Sequence, residues 1–166
     1  MRVRRLEPAD LDACLDLFAA VCAERRWLAT EPPVDRREVR RGWEALLGTG
    51  EGTLLLAEAG AGAPPAGLAM LVGRTLPQLG MLVASGSRRQ GVGDALVRAA
   101  VGWARAAGAR ELVLHVFPHN TAARALYAKH GFAQTAVLRR AFPRSTGERW
   151  DAIRMTKPLR AGGDGG

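Results

Sequence analysis

Leu79–Gly93, LGMLVASGSRRQGVG, decides how the rest of the chain reads. Leu79–Val83 has the character of an apolar strand, Ala84–Gln90 is a turn of small and basic residues, and Val92 opens a helix between two glycines. The first N–H groups of a helix lack intrahelical partners and carry the positive end of its dipole. Gly91 and Gly93 let an anion approach that backbone without meeting a Cβ. Arg88 and Arg89 add two full charges beside them. The stretch predicts an anion site at a strand-to-helix turn.

Working outward, Val92–Ala107 is an amphipathic helix with Val92, Leu96, Ala99, Ala100 and Trp103 on one stripe, ended by Gly108. Glu111–Phe117 reads as a strand. Asn120 is a good N-cap for a helix that runs to His130 and stops at Gly131. The strand–helix–strand unit predicts parallel pairing, because a crossover helix returns the chain in the same direction. Before it, Thr53–Ala59, Gly67–Arg74 and Leu79–Val83 follow one another through short Gly- and Pro-containing links, the pattern of an antiparallel meander. Gly80 inside the third strand predicts a bulge or a close backbone approach.

The N-terminal part predicts a short strand at Arg2–Leu6 and a helix over residues 8–22, with Cys14 and Cys22 on its apolar face. A Pro-rich loop, Arg25–Val34, leads to a second helix capped by Asp35. Phe132–Leu138 and Arg149–Met155 read as final strands. The expected fold is α/β in content, a single domain over residues 1–160. It is one mixed, mostly antiparallel twisted sheet with helices on both faces, followed by a disordered tail at 161–166.

Composition narrows the function. The chain has 166 residues, 48% of them apolar, enough for one sizeable core. No apolar run approaches the roughly 18–20 residues that span a bilayer. The start MRVRRLEPAD lacks an apolar signal segment. Two cysteines eight residues apart read as reduced core thiols without metal-type spacing, so the expected location is the cytoplasm and no metal is expected. The net charge of +8 raises nucleic acid as a partner, yet the arginines are dispersed and aromatics make up only 5% of the chain. An anionic cofactor accounts for the charge better.

Two motifs in fixed order carry a family resemblance. The first is Arg88-Arg89-Gln90-Gly91-Val92-Gly93 after a strand, and the second is Asn120-x-x-Ala123-x-x-Leu126-Tyr127-x-x-x-Gly131-Phe132 after the next. Together they resemble the acyl-CoA-binding core of the GNAT superfamily of N-acetyltransferases. A dinucleotide-binding fingerprint needs Gly or Ala where Leu96 stands, and a P-loop needs a Gly-Lys-Ser/Thr that is missing.

The resemblance implies an acetyl-CoA-dependent enzyme and a site residue by residue. Met81, Leu82 and Val83 would pair their backbone with the pantetheine arm, the backbone from Arg88 through Arg89, Gln90, Gly91 and Val92 to Gly93 would hold the pyrophosphate, and Asn120 with Ala123 would complete the cofactor side. Tyr127, the chain's only tyrosine, would protonate the departing thiolate. The base is less constrained: Gln78 stands where small-molecule branches keep a Glu, and His115 stands where the branch acting on ribosomal-protein N-termini keeps one. His115 can accept a proton near neutral pH. Trp27, Glu31 and Asp35 fall in or beside the loop that lines the acceptor pocket in this family, Glu31 is a third candidate for the base with a water relay as the other route, and Glu148 and Asp151 flank the last turn. The acceptor implied is a small, amino-acid-like amine. Two alternatives stay open: a protein N-terminal acetyltransferase, and a non-catalytic acyl-CoA-binding protein. A homodimer is a frequent arrangement in the family.

Overall fold

The computed structural model describes residues 1–159. The expected domain end at 160 and the tail 161–166 lie outside the described residues. Seven strands form one sheet: β1 (Arg2–Arg5), β2 (Gly52–Glu58), β3 (Pro65–Val72), β4 (Gln78–Val83), β5 (Glu111–Val116), β6 (Ala133–Pro143) and β7 (Arg149–Pro158). Their order across the sheet is β1-β2-β3-β4-β5-β7-β6. Every neighbouring pair is antiparallel except β4 and β5, which run parallel on either side of the crossover helix. The mixed sheet expected from the meander and the crossover is the one observed.

Four helices cover it: α1 (Leu11–Ala23), α2 (Arg36–Thr49), α3 (Val92–Ala106) and α4 (Thr121–Lys129). They sit on opposite faces because strand side chains alternate. One face gathers Leu55, Leu71, Leu79, Leu112, Leu114 and Ile153 with Val92, Leu96 and Val97 of α3 and Tyr127 of α4. The other gathers Leu54, Leu56 and Leu68 with Leu11, Leu15 and Val21 of α1 and Trp43 of α2. Cys14 and Cys22 are buried and unpaired, and burial pushes their thiols up to about 12 and about 11. No described helix is long and apolar enough to cross a membrane.

Details depart from the sequence reading where local signals compete. The first helix begins with a 3-10 turn at Pro8–Asp10, and the α-helix proper starts at Leu11. The Asp10 carboxylate accepts from the Glu7 N–H and from Arg4, which fixes this entry tightly. The last two strands are longer than expected: β6 runs on to Pro143 opposite Arg149 of β7, and β7 runs on to Pro158 opposite Glu111 of β5. Gly80 does not mark a bulge: the β3–β4 register runs through it unbroken, with Met70 opposite. Only the end of the Met70 side chain lies within 4 Å of a Cβ there. The glycine instead leaves the sheet surface low, in the floor of a cavity.

The feature that positions the site is how briefly β4 and β5 pair. They are in register only at Gln78–Val113 and Leu79–Leu114, and then diverge. Backbone polar groups alternate sides along a strand. The Pro77 carbonyl accepts from the Val113 N–H on the β5 side, while the Ala84 N–H donates to Ala66 on the β3 side. By that alternation, Leu82 bonds β3, and Met81 and Val83 turn their N–H and C=O groups into the opening.

Candidate active site

Two cavities meet at this opening. The larger, about 600 Å³, is lined by Met81, Leu82, Val83, Arg88, Arg89, Gly91, Val92, Gly93, Asn120, Ala123 and Tyr127, among others. Every residue expected on the cofactor side is therefore gathered along one channel, with Gln90 the exception. Gln90 holds the turn from behind, its side-chain amide donating to the Gly86 carbonyl at 3.1 Å.

The anion end of the channel is the start of α3. Gly91 is the N-cap in the left-handed conformation, φ 80°, where any side chain costs stability. It offers no side-chain cap, and the first helical bond in the turn runs from Ala95 N–H to the Gly91 carbonyl. The N–H groups of Val92, Gly93 and Asp94 thus have no intrahelical acceptor. Gly93 has a packing reason besides access: a Cβ would come within 2.7 Å of Leu126 on α4. Asp94 ties the two helices by accepting from Lys129 at 2.8 Å and His130 at 2.9 Å.

The two arginines of the turn differ. Arg89 lines the channel and makes no ion pair among the described residues. Arg88 is bidentate on Glu24 at 2.8 and 2.6 Å, and its Nε donates to the Val83 carbonyl at 3.3 Å. Its guanidinium clamps the turn to the end of α1, and its charge is largely matched by Glu24, whose carboxyl it holds below the ordinary range. Asn120 caps α4 by accepting from the Ala123 N–H at 3.2 Å, leaving its amide NH₂ without a bond to the described chain.

The smaller cavity, about 210 Å³, lies beyond the junction and is lined by Trp27, Leu28, Gln78, Gly80, His115, Phe117 and Phe142 among others. Met81 and Tyr127 line both cavities. Tyr127 is only 6% exposed, and burial pushes its phenol well above the ordinary value, so it is protonated at every working pH. No described residue is hydrogen-bonded to its hydroxyl.

Gln78 and His115, the two positions where relatives keep alternative bases, touch each other. The Gln78 side-chain amide lies 3.0 Å from His115 Nδ1, and Arg154 Nε donates to His115 Nε2 at 3.4 Å. Arg154 has only hydrogens to give, so Nε2 must carry the lone pair and Nδ1 the proton. The consistent arrangement has the Gln78 amide turned so that its oxygen accepts from Nδ1. Burial and the neighbouring Arg154 charge hold His115 below its ordinary pKa, in the neutral form.

Glu31 is engaged elsewhere. Its carboxylate accepts from Ser145 N–H at 2.7 Å and Ser145 Oγ at 3.1 Å, and lies 3.4 Å from Arg144. It does not line the smaller cavity, whereas Trp27 from the same loop does. Arg144, absent from the sequence reading, organises this wall. Its side chain is 1% exposed and donates to the carbonyls of Arg25, Leu28 and Ala29 at 3.1–3.2 Å. It stacks over Trp150, 4.1 Å from the ring centre, and over Phe117 at 5.5 Å. No sequence signal marks it, because its partners lie more than a hundred residues away. Glu148 accepts from the Trp150 indole, and Asp151 from the Arg140 N–H. Asp35 caps α2.

The channel suits an acyl-CoA on this structure's own terms: free strand polar groups at one end, three uncapped helix N–H groups and Arg89 at the other. The comparisons agree. The model of the acetyltransferase (GNAT) family matches residues 15–132. A ribosomal-protein-alanine N-acetyltransferase from Brucella melitensis is 25% identical, with a TM-score of 0.86 over 96% of this chain and 100% of that one. A GCN5-related N-acetyltransferase from Kribbella flavida is 26% identical, with a TM-score of 0.82 over 95% and 97%. A phosphinothricin acetyltransferase from Sinorhizobium meliloti, solved in complex with acetyl-CoA, shares the fold at 21% identity, with a TM-score of 0.86 over 99% and 91%. No curated protein sequence matches. Motif order, sheet splay and family match converge, and the chain belongs to the acetyltransferase (GNAT) family.

Proposed function

We propose that this acetyltransferase moves the acetyl group of acetyl-CoA onto the primary amine of a small, amino-acid-like acceptor by direct attack. Acetyl-CoA supplies the activated thioester. Met81 and Val83 bind its arm as an added strand edge, the mode by which an extended ligand completes a sheet. Val92, Gly93 and Asp94 offer their N–H groups, with Arg89, to the pyrophosphate. The Met81 N–H polarises the thioester carbonyl, a fixed dipole aimed where negative charge grows.

Tyr127 donates its proton to the departing sulfur. Its raised pKa does not spoil the match, because a thiolate leaving into the same apolar junction is destabilised by the same burial. His115 takes the amine's proton at Nε2 once the long Arg154 contact there gives way, and the Gln78 contact fixes Nδ1–H. Trp27 forms one wall of the acceptor cavity, and Glu31 supports that wall from outside through Ser145 and Arg144.

The observation that carries the small-acceptor reading is size. At about 210 Å³ the acceptor cavity falls below the roughly 300–1,000 Å³ of drug-sized pockets. A peptide N-terminus would need a groove extending past the first residue. The test is a thioester-consumption screen in which single amino acids and small amines compete with N-terminal peptides. Turnover of single amino acids or small monoamines supports the reading, and turnover of peptides alone overturns it.

A further inference from the structure

The walls of the acceptor cavity carry a charge pattern that narrows the acceptor further. None of the residues lining it is a carboxylate. The nearby carboxylates are engaged: Glu24 by Arg88, and Glu31 by Ser145 and Arg144. Glu148, at the exposed final turn, accepts from the Trp150 indole and does not line the cavity. The charges that remain around it are positive. Arg154 stands against His115 and Arg26 lies over Trp27, and neither is in an ion pair among the described residues.

The aromatic walls would ordinarily attract a cation through their ring faces. Here two of those rings, Trp27 and Phe117, already hold guanidinium groups. Arg26 lies 4.6 Å and Arg88 5.8 Å from the Trp27 ring centre, and Arg144 covers Phe117 and Trp150. An incoming ammonium finds no carboxylate in the lining, and at Trp27 and Phe117 it meets guanidinium groups already in place. The remaining lining, Leu28, Leu79, Met81, Val116 and Phe142, is apolar.

Resting on the small-amine reading above, we infer that the acceptor is a monoamine with a compact apolar body and no second positive charge. Apolar amino acids and aliphatic or aromatic monoamines fit. Diamines, polyamines and lysine do not. The same field has a catalytic use. Positive neighbours favour the neutral form of a bound amine over its ammonium form, and only the neutral form carries the lone pair that attacks the thioester. Arg154 beside His115, with no ion pair among the described residues, thus lowers the demand on the base, which fits a site with Gln78 in place of a carboxylate.

The decisive experiment uses pairs of equal shape. Acetyl-CoA consumption is measured with pentylamine against 1,5-diaminopentane, with L-norleucine against L-lysine, and with an N-terminal peptide as a separate arm. The expected result is a kcat/KM at least about tenfold higher for the singly aminated member of each pair. The ratio should narrow in an Arg26→Gln, Arg154→Gln double variant that still binds acetyl-CoA. Equal or better use of the diamine and lysine overturns the inference while leaving the small-amine reading standing. A wild-type preference left intact by the double variant supports the monoamine acceptor and overturns the arginine field as its cause, leaving the cost of desolvating a second ammonium. Turnover confined to the peptide removes the small-amine reading itself, and this inference with it.

Discussion

The two cavities that meet at Met81 and Tyr127 are built from different materials. The cofactor channel is made largely of backbone: the free edge of β4, the uncapped start of α3, and a turn held by Gln90 and Arg88. The acceptor cavity is made of side chains brought from five distant segments: the Trp27 loop, β4, β5 with Phe117, α4 through Tyr127, and the β6–β7 hairpin. On the proposed reading, backbone groups would bind an acyl-CoA whatever the neighbouring side chains. Side-chain walls can change with each acceptor. The difference teaches that donor recognition and acceptor recognition are separable here, and substitutions should divide along that line.

The largest expected effect falls at the junction. Tyr127→Phe should lower kcat by about 100-fold, at the low end of general acid contributions. Acetyl-CoA affinity, measured by calorimetry, should stay within about twofold of wild type, since no described bond to the chain is lost. Wild-type turnover in this variant would remove the acid role and leave Tyr127 as a wall of both cavities.

Arg144→Met tests the acceptor half alone. Removing a buried guanidinium uncovers three carbonyls and leaves Glu31 with Ser145 and Arg25. A loss of about 2–4 kcal/mol in chemical unfolding is expected from breaking such a buried charge network. In the folded fraction the acceptor KM should rise by about tenfold or more, with acetyl-CoA affinity nearly unchanged. Equal losses on both sides would show that the two halves move as one body.

Gly91→Ala addresses the other half. A β-carbon at φ 80° costs about 1–2 kcal/mol. The helix start can relieve that strain by turning its N–H groups away, so acetyl-CoA affinity should fall several-fold while the acceptor KM holds. An acceptor KM that rises instead would break the division.

The same division sets what the sequence could reveal. The cofactor side was readable because its contacts are local: Asn120 bonds Ala123, Gln90 bonds Gly86, and Gly91 caps its own helix. Spacing within a dozen residues reports such geometry. The mixed, mostly antiparallel character of the sheet followed from a meander and a crossover for the same reason. Arg144 bonds Leu28 across 116 positions, and nothing around Arg144 distinguishes it from the chain's other arginines. Glu31 and Trp27 share a loop, yet only the fold tells which one faces the cavity. Gln78 and His115 were legible as alternatives from two branches, but their contact depends on where β4 and β5 cease to pair.

The smallest expected effect concerns that contact. Arg154 faces His115 Nε2, and with burial it keeps the imidazole below its ordinary pKa near 6.5. If His115 is the base, the acidic limb of the kcat/KM profile reports its protonation in the free enzyme. The wild-type limb should then lie below pH 6.5. Arg154→Gln removes a positive neighbour, makes the imidazolium easier to form, and should move the limb to higher pH. The shift should be partial, because burial, the larger cause, persists. The His115 ring proton, followed by NMR through the same titration, should move by the same amount. A ring pKa that moves while the rate profile stays fixed would take the base role from His115. Proton removal would then fall to solvent, aided by the positive field that already favours the neutral amine. The acceptor half would remain selective by charge but would hold no base of its own, and the contrast with the channel would sharpen: one cavity binds through backbone, the other acts mainly through its field.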